Sequence, residues 1–456
     1  MRNRKMKRSL KLLLVGFLAC GSLLTAVNTK AASGYIYDSK GQPIESSVGL
    51  IANEDSTYNI NSTAWKGYIK ADEITNMQDM FVYSTNEKTI EDDVVYVVDA
   101  TSNSLFVFDG TMKFKEKISK FEIDPTEFTV EELSTFRTGD YDSSKKTTTS
   151  SLLGTNEFWK KYDEVLEIPY DQRTEDQKFY ISLFGVSGVY RAIRPEKDEK
   201  GAHTGNYQDL IYLCDTSNAQ IVIVDSATYK VVDVVPAPAK ADFASKFAPV
   251  KMVTDSSGRM YIISSGIYEG IILMNEKGDF MRYVGVNYTT LSFWDAFLRN
   301  FKTEEQLAAE VSILATIFNN LTIDKKGFLY TVSSGVKNAS TGVTDYTKMV
   351  KRINQAGNDV LIRNGYALPQ GDLVTIKTGA NAGGSNFAAI TVNEYGVYTI
   401  IDKKMNRLFT YDNEGNLLYI SGGSGIEQTR LYHHRFLRCA CSWGSVQGHT
   451  LLAQLQ

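Results

Sequence analysis

The densest concentration of chemically capable side chains lies near the C-terminus, where His433, His434, Cys439 and Cys441 fall within nine positions. Imidazole and thiolate groups are the ligands that zinc takes tetrahedrally. The spacing argues against that use. Adjacent histidines and a Cys-x-Cys pair lack the gaps of two to four residues that let one turn present two ligands. Residues 429–456 also hold three of the four histidines and two of the four cysteines, while Asp and Glu vanish. This stretch is expected to be an aberrant, frame-shifted end rather than a metal site, with a natural divergent tail as the alternative.

A second group of oxygen ligands recurs along the chain. Asp99, Asp215 and Asp402 are each followed within a few residues by an asparagine, Asn103, Asn218 and Asn406. Carboxylate and amide oxygens suit calcium, which makes calcium the one cofactor candidate; otherwise none is expected. The same side chains also accept bonds from backbone N–H groups in turns, and that use is the expected one. No Gly-x-Ser-x-Gly elbow, phosphate-binding loop or His-Glu-x-x-His is present. A Ser-His-Asp triad would depend on His203, which sits in the polar run KDEKGAHTGN and is expected to be solvated.

The elements that position these residues are repeated strands. VVYVVDATSNSLFVFD (94–109), LIYLCDTSNAQIVIVD (210–225) and GVYTIIDKKMNRLFTYD (396–412) share one grammar. Each is a β-rich strand ending near Asp, a short turn, and a second alternating strand ending in Asp. Looser copies begin at GRMYIISSG and GFLYTVSSG. Lead-in strands precede three copies, with Asp255, Asp324 and Asn393 ahead of Gly258, Gly327 and Gly396. That spacing predicts a tight turn between antiparallel strands. Each unit is therefore a meander of about four short strands, and such units close radially into a β-propeller. Tyr96, Tyr212, Tyr261, Tyr330 and Tyr398 mark five blades.

Two insertions interrupt the repeat, at about 122–180 and 292–318. TEFTVEELSTF, TNEFWKKYDEVLEI and SFWDAFLRNFKTEEQLAAEVSILATIF show helical periodicity with acidic residues near their starts. Trp159 and Trp294 lie in these insertions and are expected to pack on the propeller; with Trp65 they could alternatively stack on a sugar.

The N-terminus reads as a secretory signal peptide over 1–31, with a basic start, an apolar run over 9–27 and small residues before Ala32. The same run is long enough for an uncleaved anchor, and Cys20 offers a lipoprotein site; these are the only expected routes to a membrane. Cleavage removes seven basic residues, which takes Lys+Arg from 49 to 42 against 53 Asp+Glu, about −11. Such an acidic chain repels phosphate backbones and excludes nucleic acid as a partner. Between Cys20 and Cys439 only Cys214 remains, in an apolar strand, so the exported chain is held by its core rather than by disulfides.

The repeats resemble NHL-repeat six-bladed propellers, and more closely a group of exported, gluconolactonase-like NHL proteins of Gram-positive bacteria. The residues that carry the resemblance are Val95 to Asp99, Tyr398 to Asp402 with Asn406 to Phe409, Tyr268 to Ile271, and Phe318 to Leu321. The resemblance implies an all-β fold: an NHL-like propeller, six-bladed in the parent family, incomplete here, with helical insertions. It divides the chain into a signal peptide (1–31), an extended segment (32–73), the propeller (74–428) and the aberrant tail (429–456).

A lactonase of this kind uses a divalent metal in the central channel, held by Glu, Asn and Asp from different blades. Here the innermost strands would bring Gln78, Asp79, Ser187, Lys251, Asn319, Asn320 and Asn386 to that channel, with Glu269 as a further acid. Only Asp79 among the channel positions is a carboxylate, and Lys251 would repel a cation. Gln78, Asp79, Lys251, Glu269, Asn319, Asn320 and Asn386 are thus expected to form a polar ligand-binding face with no metal and no catalytic residue. The expected protein is a secreted or surface-anchored, non-catalytic module for a carbohydrate, peptide or surface-protein partner. A metal-dependent lactonase-type hydrolase is the alternative.

Overall fold

The computed structural model describes residues 36–37, 43–44, 74, 76–84, 92–139, 153–180, 185–197, 202–239, 243, 246–286, 317–334, 336–337, 344–345, 349–363, 366–367, 370–371, 384–404 and 407–422. The signal segment, the His433–Cys441 cluster, Trp65, Trp294 and the second insertion up to residue 316 lie outside these residues.

A short hairpin of β1 (Ile36–Tyr37) and β2 (Pro43–Ile44) precedes five antiparallel meanders. Blade 1 is built from β3 (Met77–Tyr83), β4 (Val94–Asp99), β5 (Ser104–Asp109) and β6 (Phe114–Ile118). Inside the first insertion, β7 (Phe121–Glu122) pairs in parallel with β8 (Leu153–Gly154). Blade 2 follows as β9 (Val186–Lys197), β10 (His203–Asp215), β11 (Gln220–Asp225) and β12 (Val231–Pro236). Blade 3 comprises β13 (Pro249–Thr254), β14 (Met260–Ser264), β15 (Ile271–Met274) and β16 (Phe280–Val284). In blade 4, β17 (Phe318–Ile323) and β18 (Leu329–Ser333) lead to a small hairpin, β19 (Val336–Lys337) with β20 (Thr344–Asp345), and then to β21 (Val350–Ile353). A second small hairpin, β22 (Ile362–Arg363) with β23 (Tyr366–Ala367), leads to blade 5: β24 (Phe387–Val392), β25 (Tyr398–Asp402), β26 (Arg407–Tyr411) and β27 (Leu417–Gly422). The chain is an all-β, five-bladed propeller arrangement, and the five tyrosines expected to mark blades all lie on second strands.

Alternation along each strand explains how blades stack. In blade 1, Tyr96, Val98, Leu105 and Val107 point toward blade 2 and join Val189, Ile211, Leu213 and Val222 in one core. Their neighbours Val95, Val97, Phe106 and Phe108 point the other way, into a cluster with Met77, Met80 and Val82. The side-chain period of two sends the residues of a strand alternately to the two faces of its blade. Tyr212, Cys214, Ile221 and Ile223 accordingly leave the first core and pack on Met252, Met260 and Ile262 of blade 3. Cys214 is a fully buried free thiol, as its apolar strand context implied.

First strands of successive blades lie side by side, β3 against β9, β9 against β13, β13 against β17 and β17 against β24. Among the described residues no comparable contact joins β24 of blade 5 to β3 of blade 1. Five blades are found among the described residues, the number the five tyrosine strands marked and one fewer than the six-bladed parent family of the resemblance.

The first insertion is helical where expected, at Val130–Thr135 and Asn156–Leu166. Thr129 and Glu132 close a reciprocal capping box at the start of the former. In the latter, Phe158, Trp159 and Tyr162 pack on one another, and the Trp159 indole N–H donates to the Phe121 carbonyl at 3.2 Å. Trp159 is therefore a packing residue. The insertion is tied to blade 2 by a reciprocal amide pair. The Arg137 N–H donates to Gln220 Oε1 at 2.8 Å, and Gln220 Nε2 donates to the Arg137 carbonyl at 2.9 Å.

Candidate functional site

The candidate site lies where the innermost strands begin. All five first strands skip one residue at their start, between Met77 and Asp79, Val186 and Gly188, Pro249 and Lys251, Phe318 and Asn320, and Phe387 and Ala389. A bulge of this kind re-aims the side chains around it. The skipped residues are Gln78, Ser187, Val250, Asn319 and Ala388, and the next are Asp79, Gly188, Lys251, Asn320 and Ala389. This ring contains most of the positions expected from the sequence, and its five members of each kind differ in what they can do.

Two skipped residues join neighbouring blades. Asn319 Nδ2 donates to the carbonyl of Phe387, the first residue of β24, at 2.6 Å. Ser187 Oγ donates to the carbonyl of Pro249, the first residue of β13, at 3.3 Å and touches the Thr216 hydroxyl, which bonds the same carbonyl at 2.6 Å. Each side chain satisfies the opening carbonyl of the next blade. These are joints, where a ligand face was expected. Gln78 turns back on its own blade, its Nε2 donating to Asn76 Oδ1 at 2.8 Å.

Asp79 and Lys251 meet. Lys251 Nζ lies 2.6 Å from each carboxylate oxygen of Asp79, although the residues stand 172 positions apart, on blades 1 and 3. Their side chains are 2% and 6% exposed. Blade 2 lies between them and contributes the Val189 N–H, which donates to Asp79 Oδ2 at 2.9 Å. The Met80 N–H adds a second backbone donor. Burial pushes the Asp79 carboxyl above its ordinary range, against the lowering pull of Lys251 and the backbone donors. Gly188 makes this convergence feasible: a Cβ there would stand 2.5 Å from the Val250 carbonyl oxygen and 3.1 Å from Cys214 Sγ. Neither Gly188 nor the Val189 N–H was singled out from sequence, because a glycine inside a strand and a backbone donor carry no chemical label.

Asn320 is also buried, at 3% exposure, and its Oδ1 has no hydrogen-bond partner among the described residues. Two expected members leave the ring. Asn386 precedes the first residue of β24, is exposed, and uses its backbone N–H to reach Asp402 Oδ1 at 3.0 Å; it belongs to the turn. Glu269 sits in the β14–β15 loop, where its Oε2 accepts the Tyr268 N–H at 3.0 Å. The structure thus brings Asp79 and Lys251 together and leaves the remaining residues to separate local tasks.

The repeated Asp side chains behave as turn acceptors. Asp99 Oδ2 takes the Ser102 N–H at 2.7 Å and Asp402 Oδ1 takes the Lys404 N–H at 2.9 Å. Asp215 accepts from Asn218 Nδ2 at 2.9 Å. His203 opens β10 instead of lying in a loop, exposed, with its ring 5.0 Å from Tyr207 and Nδ1 accepting the Gly205 N–H.

Comparison with known proteins assigns no family. No protein-family model matches the chain, and no curated protein matches it. Among solved structures, Kuenenia stuttgartiensis hydrazine synthase shares 9% identity at a TM-score of 0.35, covering 75% of this chain and 78% of that one. The Swd1 (Cps50) β-propeller domain of Myceliophteria thermophila shares 7% at 0.29, covering 76% and 85%. Virginiamycin B lyase from Staphylococcus aureus shares 10% at 0.33, covering 75% and 83%.

Proposed function

We propose that this propeller is an exported or cell-surface module of the NHL-repeat, gluconolactonase-like kind from a Gram-positive bacterium. It holds a carbohydrate, peptide or surface-protein partner without catalysis. The observation that carries this reading is the occupation of Asp79 by Lys251. Asp79 is the single carboxylate among the ten ring positions, and an ammonium already fills its coordination. A cation placed there would meet a positive charge at contact distance. The face bearing the ring also presents exposed side chains suited to a partner, Tyr268 in the β14–β15 loop and Ile317 ahead of β17.

The test pairs two measurements on the purified exported form. Titration calorimetry against cell-wall glycan fragments and peptides is expected to detect binding that Tyr268→Ala and Ile317→Ser weaken by about tenfold. Metal analysis with a lactone-hydrolysis assay is the counter-test. Stoichiometric calcium or zinc with turnover would replace this reading by the lactonase-type hydrolase.

A further inference from the structure

We propose that Asp79 and Lys251 become covalently joined by an intramolecular amide between Lys251 Nζ and Asp79 Cγ, a cross-link between blades 1 and 3. The geometry that points to it is threefold. The amine already touches both oxygens of the acid at 2.6 Å. Both side chains are almost wholly shielded from water, at 2% and 6% exposure. The N–H groups of Val189 and Met80 are aimed at the carboxyl group, where oxygen charge develops during addition.

In water, amide formation from an acid and an amine is opposed by solvation of the ions and by the excess of water. Here the dry site disfavours the charged pair, and the direction of the Asp79 shift agrees. Proton transfer within the contact yields a neutral amine beside a neutral carboxylic acid. The torsion that turns a carboxyl about its Cβ–Cγ bond is broad, so the group can present its face to the nitrogen lone pair. The nitrogen adds to Cγ and the N–C bond forms. The Cγ–O bond then breaks, and the departing hydroxyl takes a proton from nitrogen and leaves as water. Nothing is oxidised or reduced, and no co-reactant is needed. Holding the two groups in contact makes the step unimolecular, with the high effective concentration that follows.

The cross-link would close a loop containing all of blade 2. It would also convert a buried ion pair, costly to keep dry, into a neutral amide.

Intact-mass spectrometry of the full-length exported protein under denaturing conditions reads the outcome directly. The expected mass is one water below that of the linear chain. A branched peptide joining the segment around Asp79 to that around Lys251 is expected after proteolysis. Lys251→Arg is expected to restore the full mass, since a guanidinium does not form the amide. Because the wild-type reading needs no variant to fold, loss of folding in that control leaves the result intact. The uncross-linked mass in wild type overturns the proposal. So does a missing water that maps elsewhere, such as a succinimide at Asp109-Gly110.

Discussion

The strands of each blade end on two faces, and the same antiparallel meander is finished differently on each. On one face lie the turns from first to second strand and those that follow the third strand. Six of these are five-residue turns with Asp or Asn first and Gly fourth: 255–259, 275–279, 324–328, 354–358, 393–397 and 412–416. In each the first carbonyl accepts the glycine N–H, and the glycine takes positive φ, from 81° at Gly327 to 93° at Gly357. The first side chain bonds the fifth residue's N–H as well, as Asp324 does with Phe328 at 2.9 Å and Asn393 with Val397 at 2.9 Å. On the opposite face lie the first-strand bulges, the turns from second to third strand and, among the described residues, the blade-to-blade connections with the first insertion. The first face is built on local turn bonds, to which a few side chains add links between neighbouring blades, Arg282 to the Gln355 and Ala356 carbonyls, Arg352 to the Asn413 carbonyl and Lys325 to Glu394. The second has local turn bonds too, as from Ser102 to Asp99, but it also carries the buried contacts between blades far apart in sequence, Asp79 with Lys251 among them.

The largest expected effect comes from breaking the long-range face. Lys251→Met leaves the Asp79 carboxylate buried beside no cation and is expected to cost about 3–5 kcal/mol in chemical denaturation, whereas Lys251→Met with Asp79→Leu recovers most of it. Removing Lys251 also removes a lowering influence on Asp79, so its folded-state affinity for a proton rises further. The folded carboxyl then binds its proton more tightly than the unfolded one. Stability of Lys251→Met is therefore expected to fall as pH rises from the ordinary carboxylate range through the raised folded value. Melting temperatures from about pH 4 to about pH 8 check the sign; a variant most stable at neutral pH would contradict it.

Gly188→Ala attacks the same face through space alone. Its Cβ would meet backbone oxygen, which cannot swing aside, and a loss of about 1–3 kcal/mol is expected. The local face should respond less. Gly258→Ala, at φ +82° with its nearest neighbour the Arg194 side chain at 3.3 Å, is expected to cost about 1–2 kcal/mol of backbone strain. Its hydrogen-exchange change should stay within β13 and β14. Spread of that change to blades 2 and 4 would erase the distinction between the faces.

Asp225→Asn is the mildest test. The Thr228 hydroxyl, with the N–H groups of Thr228 and Ala227, holds the Asp225 carboxyl below the ordinary range despite partial desolvation. A depressed folded value gives stability that is complete above the unfolded value and lost as pH falls through the folded one. An asparagine makes the same acceptor bonds without titrating, as Asn275 does with Lys277 and Asp279. The variant should match wild type at neutral pH and lose less stability in acid, by thermal melts at both.

The blades were legible because their signals are local. Alternating apolar residues, a tyrosine at each second strand and Asx-x-x-Gly spacing are all set by neighbours within a few residues. The helices of the first insertion, with acidic residues near their starts, were legible for the same reason. The candidate site was legible only as a set of positions. Gln78, Asp79, Ser187, Lys251, Asn319 and Asn320 do stand at the strand starts, yet their roles diverge. Asn386 stands one residue ahead of β24, outside the skipped pairs, and no residue type announces where a skip falls. The pairing of Asp79 with Lys251 spans a whole intervening blade, and sequence spacing has no access to it.

Strand period, turn chemistry and charge were determined by the amino-acid sequence alone, since each depends on short-range backbone sterics and hydrogen bonding. Tertiary structure decided which polar residues serve as joints and that one buried carboxylate meets one buried ammonium. Those outcomes depend on which distant groups share a space with little water, where electrostatic contacts are strong and unpaired charges are costly.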